Sequence, residues 1–341
     1  MKRLVILSPN WLGDAVMALP AIADVRRAAP AVSITIAARA AIAPLFGLVQ
    51  DCDETIVLPK PAGIGGLARW PALGAELISG RFDTALLLPN SMHAALLVSR
   101  AGIAERWGYR AGWRGPLLTR AIPRSAGLHQ VEFYRHLVRA LGFPNGSSVP
   151  RVVVPDAARR AATQLLSGSG WDGRAPLVAL APGAAYGGAK RWPPSYFGEL
   201  AATLADDGIA CVIVGSAADA PTAVAVARAF DAHGGRAPRP ALLDVVGRTD
   251  LSTLAGVLTL CRTLVTNDSG AMHLAAAAGV PITAVFGPTD ETATRPIGDA
   301  HAILTNPVWC RPCMLRECPL DHACMRGVGV DAVLASARRA R

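Results

Sequence analysis

Three polar groups in this 341-residue chain stand where they could move a proton or hold an anion. The first lies in residues 266–281, TNDSGAMHLAAAAGVP. A short apolar stretch precedes it and another, residues 282–287, follows, so the region reads as strand, turn, helix, glycine stop and strand. Asp268 or Ser269 can cap the helix. Residues 271–278 are strong helix formers, and Gly279 with Pro281 ends the helix. Gly270 permits close approach to the backbone. The N–H groups of Ser269, Gly270 and Ala271 lie at the positive end of the helix dipole, where phosphates bind. Asp268 can accept hydrogen bonds from sugar hydroxyls, and His273 lies one turn in. A simple cap and a histidine satisfied within the fold would account for the same two residues without any ligand.

The second group centres on Asp14, which follows an apolar strand at residues 4–8 and opens a helix at 14–29. Open α/β sheets bind ligands at the carboxyl ends of their strands. A carboxylate there can take a proton from a hydroxyl, or merely complement the helix dipole. Asn10 and Gly13 share its turn. Asn90 and His93 follow a strand at 84–88 and should reach the same edge. Arg106, Arg110, Arg114, Arg120 and Arg124 come next, mixed with Trp107, Tyr109 and Trp113. Such interleaving suits a phosphorylated or sugar-bearing partner, and equally a solvated loop with half-buried anchors. The third group is the glycine-rich loop at 182–190, PGAAYGGAK, which follows a strand at 177–181. It matches neither a P-loop nor a GxGxxG fingerprint, yet it could deliver Lys190 to the sheet edge as a phosphate clamp. Ser216 lies just beyond a strand at 211–215. Gly247 and Thr249 follow one at 242–246.

These groups need two frames to hold them. Further strands are expected at 33–38 and 54–58. Helices are expected at 41–49, 65–78, 92–101, 129–141, 194–207 and 251–261. The alternation predicts an α/β fold with parallel sheets covered on both faces. The length suits two domains. Residues 143–155, FPNGSSVPRVVVP, read as the linker between domains at 1–150 and 151–341. Charge is uneven: 16 Lys and Arg against 9 Asp and Glu in residues 1–150, and 18 against 16 in the remainder. The basic first half suits an anionic partner, and equally a soluble, arginine-rich surface that reflects coding bias alone. The opening Met-Lys-Arg and apolar run resemble a signal peptide, but Pro9, Asn10 and Asp14 interrupt it too early. No stretch reaches the ~18 apolar residues of a membrane span. A cytoplasmic protein with at most peripheral membrane contact is expected.

Seven cysteines are present, and four of them, Cys310, Cys313, Cys318 and Cys324, fall within fifteen residues. Such a cluster could hold structural zinc or iron. It could equally be reduced thiols, or a disulfide, in a C-terminal loop.

Five segments in order resemble one family: PNWLGDAVMALPAI at 9–22, PGAAYGGAKRWP at 182–193, VTNDSGAMHLAAA at 265–277, FGPTD at 286–290 and CRPCMLRECPLDHACM at 310–325. They are similar to the ADP-heptose:lipopolysaccharide heptosyltransferase family, above all its heptosyltransferase II branch. The resemblance implies a GT-B fold, two Rossmann-like domains with parallel sheets facing a central cleft. Residues 1–150 would take the acceptor. Residues 151–341 would take the sugar nucleotide and carry the cysteine-rich loop and a final helix. It implies inverting transfer of heptose from ADP-L-glycero-D-manno-heptose to the lipopolysaccharide inner core, with Asp14 as general base. Lys190, Asp268, Ser269 and Gly270 would hold the donor phosphates and sugar, Lys190 also assisting the chemistry. Gly247 and Thr249 would lie on the adenosine side, with Ser216 and His273 in the same donor group. Asn10, Gly13, Asn90, His93 and Arg110 would meet the anionic acceptor. The partners implied are ADP-heptose, the lipopolysaccharide acceptor and the inner membrane surface, with no nucleic acid. No cofactor is expected for catalysis, and no DxD metal motif stands near the cleft, since Asp51-Cys-Asp53 lies elsewhere. A sugar-nucleotide epimerase on the same fold, or a non-catalytic nucleotide-binding scaffold, are the alternatives.

Overall fold

The computed structural model describes residues 1–59, 70–234 and 240–339. The chain divides into two compact units, Met1–Arg151 and Val152–Arg341, each with its own parallel sheet. In the first unit the strands are β1 (Arg3–Leu7), β2 (Ser33–Arg39), β3 (Glu54–Leu58), β4 (Thr84–Leu87), β5 (Glu105–Tyr109) and β6 (Arg120–Ile122), in the order β3-β2-β1-β4-β5-β6. In the second they are β7 (Leu177–Ala181), β8 (Ala210–Ile213), β9 (Leu242–Asp244), β10 (Thr263–Asn267), β11 (Ile282–Phe286) and β12 (His301–Thr305), in the order β12-β11-β10-β7-β8-β9. Counted from each unit's own first strand, the two orders are the same 3-2-1-4-5-6 of the doubly wound nucleotide-binding fold. The central strands are covered on both faces: every residue of β7, β10 and β11 is buried. This is why they read as unbroken apolar runs rather than alternating ones.

The elements differ from the sequence expectation in a few places. The single helix expected at 14–29 is two helices, Leu12–Met17 and Leu19–Ala28. Pro20 has no N–H to return to the carbonyl four residues back, so the helix breaks at Ala18 and restarts with the proline in its first turn. The segment expected as a helix at 41–49 is a 3-10 helix, Ala43–Leu48, with Pro44 in its first turn. The helix expected at 65–78 is Trp70–Ser79; positions 65–69 lie outside the described residues. The Arg- and aromatic-rich stretch is not a loop throughout but contributes β5 and β6. The elements without an expectation include the helices Asp156–Ser167 and Ala220–Ala232 and the edge strand β12. No described helix is long and apolar enough to cross a membrane.

Candidate functional site

In a 3-2-1-4 sheet the strand order reverses between the first and fourth strands, and the crevice beyond their carboxyl ends is the natural ligand position. In the second unit those strands are β7 and β10. The loop after β7 is the glycine-rich 182–190, and the turn after β10 is Asp268–Gly270. Asn267, fully buried at the end of β10, ties the two together. Its side-chain amide donates to the carbonyls of Pro182 (2.8 Å) and Gly183 (3.3 Å), and its oxygen accepts from the N–H of Trp192 (2.9 Å). One side chain thus holds both ends of the Lys190 loop. Sequence reasoning passed over it. Asn267→Ala should leave these buried groups unpaired, at about 1–3 kcal/mol for each. A melting temperature lowered by several degrees is the expected result, and an unchanged one would mean that the loop is anchored elsewhere.

Ser269, not Asp268, caps the helix Gly270–Ala277. Its hydroxyl accepts from the Met272 N–H (3.4 Å) and pairs with the Thr266 hydroxyl (3.0 Å). Asp268 is therefore spared for another role. It is 8% exposed, and one of its oxygens accepts from the Lys190 ammonium (2.5 Å) and the Thr289 hydroxyl (2.8 Å). Lys190 also lies over the Tyr186 ring, 4.8 Å from its centroid. The first turn of the capped helix, starting at Gly270, adjoins this pair. His273 is buried one turn further in. Ser216 is exposed beyond β8, its N–H and hydroxyl both directed to one Asp219 oxygen (2.9 and 2.8 Å). A Cβ on Gly183 would lie 2.3 Å from Asp219 Oδ1, so any larger residue there would displace that carboxylate. Gly247 takes the left-handed conformation (φ 72°) and donates to the Gly215 carbonyl (3.0 Å), which sets the loops after β8 and β9 side by side, with Thr249 half-buried just beyond.

In the first unit the switch lies between β1 and β4. Asp14 sits half-buried in the first turn of the helix that follows β1, with Asn10 exposed and Gly13 half-buried beside it. The Tyr134 hydroxyl donates to Asp14 Oδ1 at 3.5 Å from the helix Gln130–Ala140. Burial first, then the Asp14 charge, hold the Tyr134 phenol well above its ordinary pKa, so it stays a donor to the carboxylate. After β4, Ser91 caps the helix Met92–Arg100, and His93 is half-buried in its first turn. Burial and the Arg39 charge hold the His93 imidazole below its usual range, which leaves it neutral near pH 7.

The arginine group separates into two kinds. The Arg114 guanidinium is fully buried and donates to the carbonyls of Tyr109 (2.8 and 2.9 Å) and Pro89 (2.5 Å) and to the Asn90 side chain (3.1 Å). Burial draws its pKa down to about 10. Arg106 donates to the carbonyls of Ile103, Ala104 and Leu117. These two build the loops and do not face a partner, while Arg110 is exposed at the edge after β5. Asn90 is exposed, though one face of it is taken up by Arg114.

Of the two readings open for the cysteine cluster, a zinc or iron centre is not the one the side chains are arranged for here. Among the described residues no three His, Cys, Asp or Glu side chains are gathered to hold a metal ion, and all four clustered cysteines are free. Tetrahedral sites need thiolates drawn to a common point. Cys324 is buried, and burial first, then electrostatic interaction with the nearby Cys310, Cys318 and Cys313, pushes its thiol pKa up. The loop that carries the other three is held by hydrogen bonds to its neighbours, such as Met314 N–H to the Pro288 carbonyl (2.9 Å).

Comparison with known proteins agrees with this architecture. Residues 70–324 match the family described as glycosyltransferase family 9 (heptosyltransferase). Lipopolysaccharide heptosyltransferase 2 of Escherichia coli (strain K12) is 30% identical over 311 residues, 89% of this chain and 87% of that protein. Lipooligosaccharide heptosyltransferase 2 of Haemophilus influenzae is 28% identical over 314 residues, 89% of this chain and 88% of that one. The solved structure of E. coli ADP-heptose lps heptosyltransferase II is similar at a TM-score of 0.80 and 27% identity, covering 99% of this chain and 98% of the other. The two Rossmann-like domains are thus those of a GT-B glycosyltransferase. The chain belongs to glycosyltransferase family 9, the heptosyltransferases.

Proposed function

We propose that this enzyme transfers heptose from ADP-L-glycero-D-manno-heptose to the lipopolysaccharide inner core, adding the second heptose to heptosyl-Kdo2-lipid A. The observation that carries the reading is the buried Lys190–Asp268 pair beside a helix N-terminus at the β7/β10 switch point, in a chain 30% identical to a lipopolysaccharide heptosyltransferase 2. In this reading the second unit binds the donor and the first binds the acceptor.

Asp14 takes the proton from the acceptor hydroxyl as its oxygen attacks the anomeric carbon from the face opposite ADP. The carbon–oxygen bond to the β-phosphate breaks, and ADP leaves with the electron pair, so the configuration inverts. The leaving group gains charge as the bond breaks. Lys190 and the first N–H groups of the helix Gly270–Ala277 meet that charge with fixed donors, so they stabilise the transition state more than the bound donor. Asp268 holds Lys190 in place and offers its second oxygen to the heptose. Ser269 supports the turn as the cap. His273 backs the same turn from within. Ser216, Gly247 and Thr249 line the nucleoside side. Asn10, Gly13, Asn90, His93 and Arg110 form the acceptor side, where exposed positive charge suits Kdo carboxylates and phosphate. We place the enzyme in the cytoplasm, touching the inner leaflet through its lipid-linked acceptor.

The test is mass spectrometry of a defined heptosyl-Kdo2-lipid A acceptor incubated with enzyme and ADP-heptose. A gain of one heptosyl unit is expected. Acceptor left unchanged while donor alone is converted would overturn the reading. Because protein donors hold the leaving group, a brief pulse of chelator should leave the initial rate unchanged. A rate lost to chelator and restored by Mg²⁺ would instead place a metal on the diphosphate. A structural zinc or iron at Cys310, Cys313, Cys318 and Cys324 would require the loop to close around it, and metal analysis of the purified protein decides that point.

A further inference from the structure

The loop at 306–322, between β12 and the short helix Ala323–Arg326, is stitched to the Lys190 loop and to the loop after β11, whose Thr289 hydroxyl bonds Asp268. Toward the Lys190 loop, the Arg316 carbonyl accepts from the Ala189 N–H (2.9 Å) and the Glu317 carboxylate from the Gly188 N–H (3.0 Å). The Met314 carbonyl accepts from the Tyr186 hydroxyl (2.8 Å). Toward the loop after β11, Met314 N–H donates to Pro288, and Arg311 donates to the Gly287 carbonyl (2.9 Å) and pairs with Glu291 (2.7 Å). At Gly187, which meets backbone, the contact is close enough to dictate the residue type. A Cβ on Gly187 would lie 2.2 Å from the Arg316 carbonyl oxygen, and one on Gly188 would lie 2.6 Å from Glu317 Oε2.

This arrangement sets a second cation beside the first. The Arg316 guanidinium lies 5.2 Å from the centroid of the Tyr186 ring, and the Lys190 ammonium lies 4.8 Å from the same centroid. The two charges are therefore no more than about 10 Å apart, an upper bound set by those two distances, with an electron-rich ring between or beneath them. Lys190 is balanced by Asp268. Arg316 makes no ion pair among the described residues, and the adjacent Glu317 accepts from the Gly188 N–H through one oxygen. Arg316 is exposed, so its charge is free to meet a ligand. Two cations held against one ring offer one donor group to each phosphate of a diphosphate, where a single phosphate ester would need only one of them.

We propose that the cysteine-rich loop completes the donor site by presenting Arg316 as a second cation for the diphosphate, with Tyr186 as the platform that aligns it with Lys190. The proposal rests on the reading that a nucleoside diphosphate binds at Lys190. Calorimetry with ADP and AMP tests it on the full chain. Arg316→Ala should weaken ADP about five- to tenfold, the scale of one charge-assisted contact, and weaken AMP by less. Arg316→Lys should recover most of the loss, because the charge matters more than the fork. The defect should shrink as salt is raised. Arg316→Ala with wild-type ADP affinity, while Lys190→Ala loses binding, would overturn the proposal and leave the donor site standing. Wild-type ADP affinity in both variants would overturn the donor reading along with it. Equal losses for ADP and AMP would also refute the diphosphate role, since the side chain would then serve the nucleoside end.

Discussion

Asp14→Asn should bind ADP-heptose as the wild type does and lose about 10²–10⁴-fold in turnover, the usual worth of a positioned general base. The substitution keeps the shape of the side chain and an oxygen to accept from the Tyr134 hydroxyl (3.5 Å). The helix Leu12–Met17 should therefore form as before. What the amide lacks is basicity toward the incoming hydroxyl. Single-turnover mass spectrometry with saturating donor and acceptor separates the outcomes. A slow chemical step with unchanged donor affinity supports the base. A near-normal rate would remove Asp14 from proton transfer and leave it a partner for the helix dipole.

Lys190→Met should produce two large losses with different causes. The first is in stability. Asp268 is 8% exposed, and without Lys190 its carboxylate keeps only the Thr289 hydroxyl among its observed partners. An uncompensated buried charge costs about 3–5 kcal/mol. The second is in chemistry, because the departing ADP loses a fixed cation, and that loss should appear in kcat as well as in donor affinity. The double variant Lys190→Met with Asp268→Asn distinguishes them. Removing both charges should restore most of the melting temperature, as replacing a whole buried pair often does, while transfer stays impaired. Recovery of both stability and turnover would reduce the pair to a structural bridge.

The sequence made much of the framework legible and little of the wiring. Parallel strands covered on both faces must be apolar throughout, so β7, β10 and β11 stood out as short runs bounded by turns. Gly279 and Pro281 marked the end of the helix after β10 for reasons local to the backbone. Arg106 and Arg114 were hidden because an arginine that donates to buried carbonyls has the same local pattern as one that faces solvent. Trp107 and Tyr109, two residues apart beside Arg106, were the available sign of β5. Asp268 and Ser269 are equivalent as caps on paper, and tertiary partners decide between them, above all the Lys190 ammonium, 78 residues away in sequence. Asn267 was unread for the same reason: its partners lie 75 to 85 residues away.

The doubled strand order has a consequence for how the chain comes off the ribosome. In each unit the strand made first lies at the centre of the sheet and pairs with the fourth: Leu4 opposite Thr84, and Val178 opposite Thr263. The middle of either sheet therefore cannot close until about 80 further residues have been synthesised. At elongation rates of ~5–20 residues per second, each apolar first strand waits several seconds with one side of its ladder open. The second unit repeats that wait while the first is already complete. Nascent chains halted between these points should be the forms most dependent on chaperones, and slower translation before residues 84 and 263 should lengthen their exposure.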